Sequence, residues 1–270
     1  MTTTIDTGTD ELLCELDGRV AVVTLNKPEK KNALGDIITP ALRSVLLTLE
    51  NDERVGCVML TGAGDAFCSG GDVGGMGSAV SKPRPPQERI DELVHKQMTL
   101  THRLHTLSKI TVAALPGAAA GAGLSIALAC DLRIAADNAF VTTAFRNIGL
   151  SGDYGASWFL PRLIGLAKAK ELFYGASRVG AEEGLRIGLF NAVFPQARFR
   201  EEALRYATAL AEGPTRTLGR MKVNLNTGMD QSLADSLALE ARHLIASGAD
   251  PEAREAISAF MEKRPPKFHG

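Results

Sequence analysis

The sequence predicts a mixed α/β fold followed by a helical C-terminal region. Three observations predict it: short β-branched and apolar runs alternate with segments of helical periodicity; small-residue turns follow two of those runs; and helical spacing takes over from Ala197. In chain order, Leu12–Leu16 and Arg19–Leu25 read as a hairpin joined by Asp17-Gly18, and a helix follows over Asp36–Asn51 with Asp36 as its cap. Val55–Thr61 is a buried strand, and the glycine-rich turn Gly62–Gly77 follows it. Ser81–Gln87, with three prolines among charged and polar residues, reads as a mobile surface loop. A helix over Glu88–Leu107, the strand Ile110–Leu115, the turn Gly117–Gly123, a helix Leu124–Cys130 and the strand Leu132–Ala136 complete the alternation. In the last third, Leu233, Leu237, Ala241 and Leu244, then Ala253, Ala256, Ile257, Phe260 and Met261, form apolar stripes that a neighbouring subunit would cover. The division is therefore a core over residues 1–196 and a helical oligomerisation region over 197–270.

Composition narrows the function. The 270 residues are 45% hydrophobic and 23% charged with a formal net charge of -1, which speaks against nucleic acid or an acidic membrane as a bulk partner. No apolar run approaches the roughly 18 residues of a membrane span. No Lys or Arg precedes Arg19, unlike a secretory or mitochondrial leader, so a cytoplasmic protein is expected. Cys14, Cys57, Cys68 and Cys130 are far apart and lie mostly in apolar runs, as core residues of a reducing compartment do. His102 and His105 have H-x-x-H spacing without a third ligand, so no metal site is expected.

The chemical signal lies in the two small-residue turns. Phe67–Val73 (FCSGGDV) and Gly117–Gly123 (GAAAGAG) bring glycine and alanine directly after a strand, where a ligand can approach backbone N–H groups. Such donors at a helix start stabilise a developing oxyanion. A dinucleotide fingerprint fails on spacing, because Gly121-Ala122-Gly123 is followed by Leu124, Ser125 and Ile126 with no third glycine.

LNKPEKKNAL (Leu25–Leu34), LTGAGDAFCSGGDV (Leu60–Val73), LPGAAAGAGLSIALACDLRIAA (Leu115–Ala136) and AISAFMEKRPPKF (Ala256–Phe268) occur in order over nearly the whole chain. In these motifs the sequence resembles the crotonase, or enoyl-CoA hydratase/isomerase, superfamily. The resemblance implies a crotonase-like spiral of ββα repeats, a homotrimer or homohexamer, and an acyl-CoA substrate whose enolate oxygen is held by two backbone amides. Coenzyme A then belongs to the substrate, and no separate cofactor is implied. Carried over position by position, the amides are those of Gly71 and Ala122. The same turns add Asp72, Val73 and Gly123 to the implied substrate contacts. Lys30 or Lys31, in a basic cluster with Lys27, would approach the coenzyme A phosphates; on their own these lysines read as a solvated face. Phe260 and Lys263 match positions near the coenzyme A of a neighbouring subunit.

The sequence departs from the family at the two glutamates of typical hydratases, whose positions hold Ser125 and Phe145. Neither is a carboxylate acid or base. Ser125 reads as a small residue on a packed helix that could also hydrogen-bond substrate, and Phe145 as lining of an apolar acyl pocket. Asp153, in GLSGDYGASWFLPRLIG (Gly149–Gly165), falls where aspartate-dependent isomerases of the family, the phenylacetate-pathway type above all, place their catalytic residue. Read locally, Asp153 caps a helix starting near Tyr154; read with the resemblance, it is a single base in an apolar shell of Phe145, Tyr154, Trp158 and Phe159. The expected activity is a double-bond shift in an enoyl-CoA. Hydration through Asp153 and a water, a nucleophilic Asp153 in thioester hydrolysis or dehalogenation, and a thioester-binding scaffold are the alternatives.

Overall fold

A computed structural model describes residues 2–72 and 84–269. The hairpin is present, with β2 (Leu12–Asp17) and β3 (Val20–Leu25) antiparallel and β1 (Thr3–Thr4) at the edge. Buried and exposed residues alternate along β2, as a strand with one covered face requires. Beyond β3 the sheet turns parallel through β4 (Cys57–Gly62), β6 (Ile110–Leu115), β8 (Leu132–Ala136) and β11 (Ala192–Phe194), giving the order β1-β2-β3-β4-β6-β8-β11. β4, β6 and β8 are almost continuously buried because helices or the second sheet cover both faces.

The second sheet explains the turns. β5 (Ala66–Cys68), β7 (Ala118–Ala120), β9 (Phe140–Thr142) and β10 (Val179–Gly180) pair in the order β10-β9-β7-β5. Each of β4, β6 and β8 is thus followed by a short strand of the smaller sheet, and a helix then carries the chain onward. That repeated ββα unit is the crotonase-like spiral. The segment after Cys68 and the turn after Ala120 leave neighbouring parallel strands β5 and β7, so they emerge side by side.

The helices are α1 (Ile38–Asn51), α2 (Pro86–Gln97) continuing through a π-helical turn at Met98–His102 into α3 (Arg103–Thr106), α4 (Ala122–Ala129), α5 (Ala156–Ile164), α6 (Leu166–Gly175) and α7 (Ala181–Arg186), then α8 (Phe199–Ala211), α9 (Thr215–Gly228), α10 (Leu233–Ala249) and α11 (Pro251–Met261). Two expectations need correction. α1 starts at Ile38 without a side-chain cap, because Asp36 stands outside the helix. The loop expected over Ser81–Gln87 lies outside the described residues up to 83, and from Pro86 the chain is already helical, proline being well tolerated in a first turn.

α8 packs across β3, β4, β6 and β8, while α9, α10 and α11 pack mainly on one another in succession. A buried ion pair ties α9 to the core: Lys222 Nζ lies 2.9 Å from Asp131 Oδ2, which also accepts the N–H and hydroxyl of Thr111. The four cysteines are buried and unpaired. No described helix is long and apolar enough to cross a membrane.

Candidate active site

The two glycine-rich turns are built against each other. Asn32, fully buried, accepts the Lys27 N–H and donates to the carbonyls of Ala63 and Ala66, which locks the Lys27–Leu34 segment onto the turn after β4. Leu34 then bridges to Gly71: its N–H donates to Gly70 and its carbonyl accepts from Asp72. This parallel bridge uses the groups on either side of Gly71 and leaves the Gly71 N–H out of the pairing.

The facing donor belongs to Ala122, the first residue of α4, whose N–H precedes every intrahelical acceptor. Gly121 before it has φ 51° and ψ -126°, a conformation open to glycine and closed to L side chains. Gly123 permits the close approach: a Cβ there would lie 2.4 Å from the Cys68 carbonyl oxygen and 2.7 Å from its Sγ. The tight packing also pushes the Cys68 thiol up to about 12, leaving it inert.

A cavity of about 230 Å³ opens onto both turns, and Gly71, Ala122, Asp153 and Tyr154 line it together with residues of α1 and α2. Asp153 is not a helix cap. α5 starts at Ala156 behind Gly155, without a side-chain cap, and only the Asp153 carbonyl receives the Ala156 N–H, at 3.3 Å. The side chain's Oδ1 is buried and has no hydrogen-bond partner. Burial alone raises its pKa above the usual carboxylate value, since no cation compensates the lost hydration. Tyr154 holds the carboxylate's position through a non-glycine left-handed φ of 50°, and its N–H donates to Gln97 Oε1 at 2.7 Å. Such strain in a non-glycine residue persists only where neighbours enforce it.

The other expected contacts distribute unevenly. Phe145 is buried beside Gly121 and Gly152 and stacks on Phe173 at 6.1 Å between centroids, so it backs the turn region. Ser125, also buried, bonds back to the Gly121 carbonyl at 3.2 Å, as a small hydroxyl on a packed helix does. Trp158 and Phe159 are not among the residues that line the Asp153 cavity. They line a separate cavity of about 530 Å³, where Trp158 meets His105 edge-on at 5.1 Å and the Arg162 guanidinium covers its indole at 3.8 Å. His105 is half-buried between these rings, and burial lowers its pKa. His102 faces solvent.

Lys30 pairs with Asp72 at 2.8 Å and Lys31 with Asp65 at 2.7 Å, both at the surface of the segment that carries the Gly71 bridge. Phe260 is 82% exposed and Lys263 follows α11; neither lines the Asp153 cavity. Val73 lies outside the described residues. The sequence reading missed Asn32, Gln97 and Arg43. Asn32 alone carried a signal, asparagine being one of the few residues that accept a left-handed loop position.

The arrangement joins two outward N–H donors and one desolvated carboxylate around a small cavity. It can stabilise an oxyanion and move a proton next to it. A family model described as enoyl-CoA hydratase/isomerase matches residues 15–270. The chain is 37% identical over 95% of its length to a Rhodobacter capsulatus protein named "Probable enoyl-CoA hydratase", covering 96% of it. It is 34% identical over 96% of its length to 1,2-epoxyphenylacetyl-CoA isomerase of Escherichia coli, covering 98% of that protein. Among solved structures, an enoyl-CoA hydratase from Polaromonas sp. JS666 superposes with a TM-score of 0.89 at 33% identity, over 96% of this chain and 99% of that one.

Proposed function

The chain belongs to the enoyl-CoA hydratase/isomerase family, and from that premise we propose that it shifts the double bond of an enoyl-CoA with Asp153 as its single base. The observation that carries the reading is that Asp153, whose Oδ1 is buried and unpartnered, lines the same cavity as Gly71 and Ala122. Asp153 takes a proton from the carbon next to the thioester, the two N–H groups hold the resulting dienolate oxygen, and the same carboxyl returns a proton to the far end of the conjugated system. One carboxylate suffices because it is base in the first half and acid in the second. Desolvation supports both halves, raising the basicity of the carboxylate and strengthening the hydrogen bonds to the oxyanion. Coenzyme A enters as part of the substrate, so the mechanism calls for no further cofactor.

Likeness to a protein named as a hydratase favours a second reading, addition of water through Asp153. Against it stand Ser125 and Phe145 at the positions of the two hydratase glutamates, which leave one carboxylate for a reaction that ordinarily uses two.

Incubation with paired α,β- and β,γ-enoyl-CoAs, followed by mass analysis, separates the readings, because only hydration adds a water. Isomerisation with exchange of substrate protons into deuterated water is the expected result. Asp153→Asn should lower turnover by about 10²–10⁴-fold, the usual worth of a general base. Wild-type turnover in that variant on every enoyl-CoA the parent converts would sink the proposal. A transient acyl or aryl adduct on Asp153 after rapid quenching would replace it with nucleophilic catalysis.

A further inference from the structure

A second side chain lining the Asp153 cavity, Arg43, also carries a buried polar atom without a partner. Arg43 sits on α1, one turn after Thr39, and both line the cavity. Its Nη1 is buried and makes no hydrogen bond. A guanidinium is always charged, and a buried donor on a charged group left unpaired is among the costliest features a fold can carry. Such atoms are rare in native proteins and point to a missing ligand.

The cavity's own groups do not supply that partner. Of the other charged side chains lining it, Lys96 is bound by Glu92 at 2.5 Å and Asp36 is exposed. Asp153 does not answer Arg43 either. Its Oδ1 has no hydrogen-bond partner, just as the Arg43 Nη1 has none.

We infer that Arg43 is a specificity-determining residue that recognises a hydrogen-bond-accepting oxygen on the acyl group, so that the substrate class is acyl-CoAs bearing a hydroxyl, oxo, ether or carboxylate oxygen. The inference rests on the proposed reading of this cavity as the acyl site. A cavity of about 230 Å³ suits a short chain or a single ring, and in so small a space an acyl oxygen cannot avoid the lining. An unsubstituted chain offers the Arg43 guanidinium no acceptor, whereas an oxygenated one does, and the difference appears as selectivity.

Calorimetric titration of the full chain with butyryl-CoA, 3-hydroxybutyryl-CoA, 4-hydroxybutyryl-CoA and succinyl-CoA tests this without requiring turnover. At least one oxygenated ligand should bind about tenfold or more tightly than butyryl-CoA, the range of hydrogen bonds to a charged group. In Arg43→Met that ratio should fall to about one, while Arg43→Lys keeps part of it as a point charge without the fork. The hydroxyl and carboxylate ligands separate a neutral from an anionic acceptor. Binding without preference in the parent protein, or a preference that survives Arg43→Met, overturns the role of Arg43. Failure of every acyl-CoA to bind overturns instead the reading of the cavity. Asp153→Asn should keep the preference, because binding of these saturated ligands needs no base.

Discussion

Asp153 shows how one side chain's environment sets both its chemistry and its cost. Its folded pKa lies above the ordinary aspartate value because burial removes water and brings no cation in exchange. The sign of the stability effect follows. A carboxyl with a raised folded pKa contributes stability while protonated, fully below its unfolded pKa, and loses that contribution as pH rises through the folded value. Above that folded value the native state therefore bears the ionised form at a penalty. Asp153→Asn is expected to melt higher than the parent at pH 7 to 8, by about 2–4 °C for each kcal/mol recovered. That gain should shrink as the pH is lowered through the folded pKa. A lower melting temperature for the variant at neutral pH would mean that the carboxylate has a stabilising partner. Activity should follow the opposite course, with the acid limb of kcat/KM lying above the ordinary aspartate range because only the ionised carboxyl accepts a proton.

At the scale of the element, the oxyanion donors depend on where a helix starts and where a strand pair stops. Ala122 occupies the first position of α4, within the first turn, where proline costs no internal hydrogen bond. Ala122→Pro thus removes the proposed donor while leaving the helix its own bonds. Turnover should fall by roughly 10²–10³-fold, as on loss of one oxyanion donor, with circular dichroism and melting close to the parent. Ala122→Gly, which keeps the N–H, is the control. A folded Ala122→Pro protein with parental activity would remove Ala122 from the mechanism. The Gly71 donor has a different origin: the bridge from Leu34 stops one residue on each side of it, and Asn32 holds that bridge in place.

For the whole molecule, the distribution of apolar surface points beyond a single chain. Leu233, Leu244, Ile245 and Phe260 are each at least 72% exposed, all on α10 and α11, which pack on each other and on α9 more than on the core. Exposed apolar side chains gathered on two helices in this way are ordinarily covered by another subunit. A trimer or hexamer is expected by light scattering at micromolar concentration, and a monomer under those conditions would contradict it. Within one chain neither Phe260 nor Lys263 lines the Asp153 cavity, and the part in a coenzyme A site that the resemblance implies for them depends on that assembly.

The alternation of short strands, small-residue turns and helices was legible in the sequence because burial patterns are local: a strand covered on both faces is mostly apolar, as Ile110–Leu115 and Leu132–Ala136 are apart from the buried Thr111 and Arg133, and both keep the expected bounds. The candidate turns were legible for the same reason, since only small residues admit a ligand to the backbone. What tertiary structure decided is how side chains far apart in sequence share space. Asp153 looked like a helix cap because a lone Asp before a helical run usually is one; the left-handed Tyr154 and the Gln97 contact swing the helix start to Ala156 and leave the carboxylate in the cavity. Trp158, five residues on, looked like its neighbour and instead faces His105, because α5 turns it toward another cavity. Arg43 drew no reading from the sequence, and its unpaired nitrogen exists only once α1 is laid beside the turns it has no sequence relation to. Periodicity records which face of an element is buried; it carries no information about which buried faces meet, and the chemistry of this site lies where they meet.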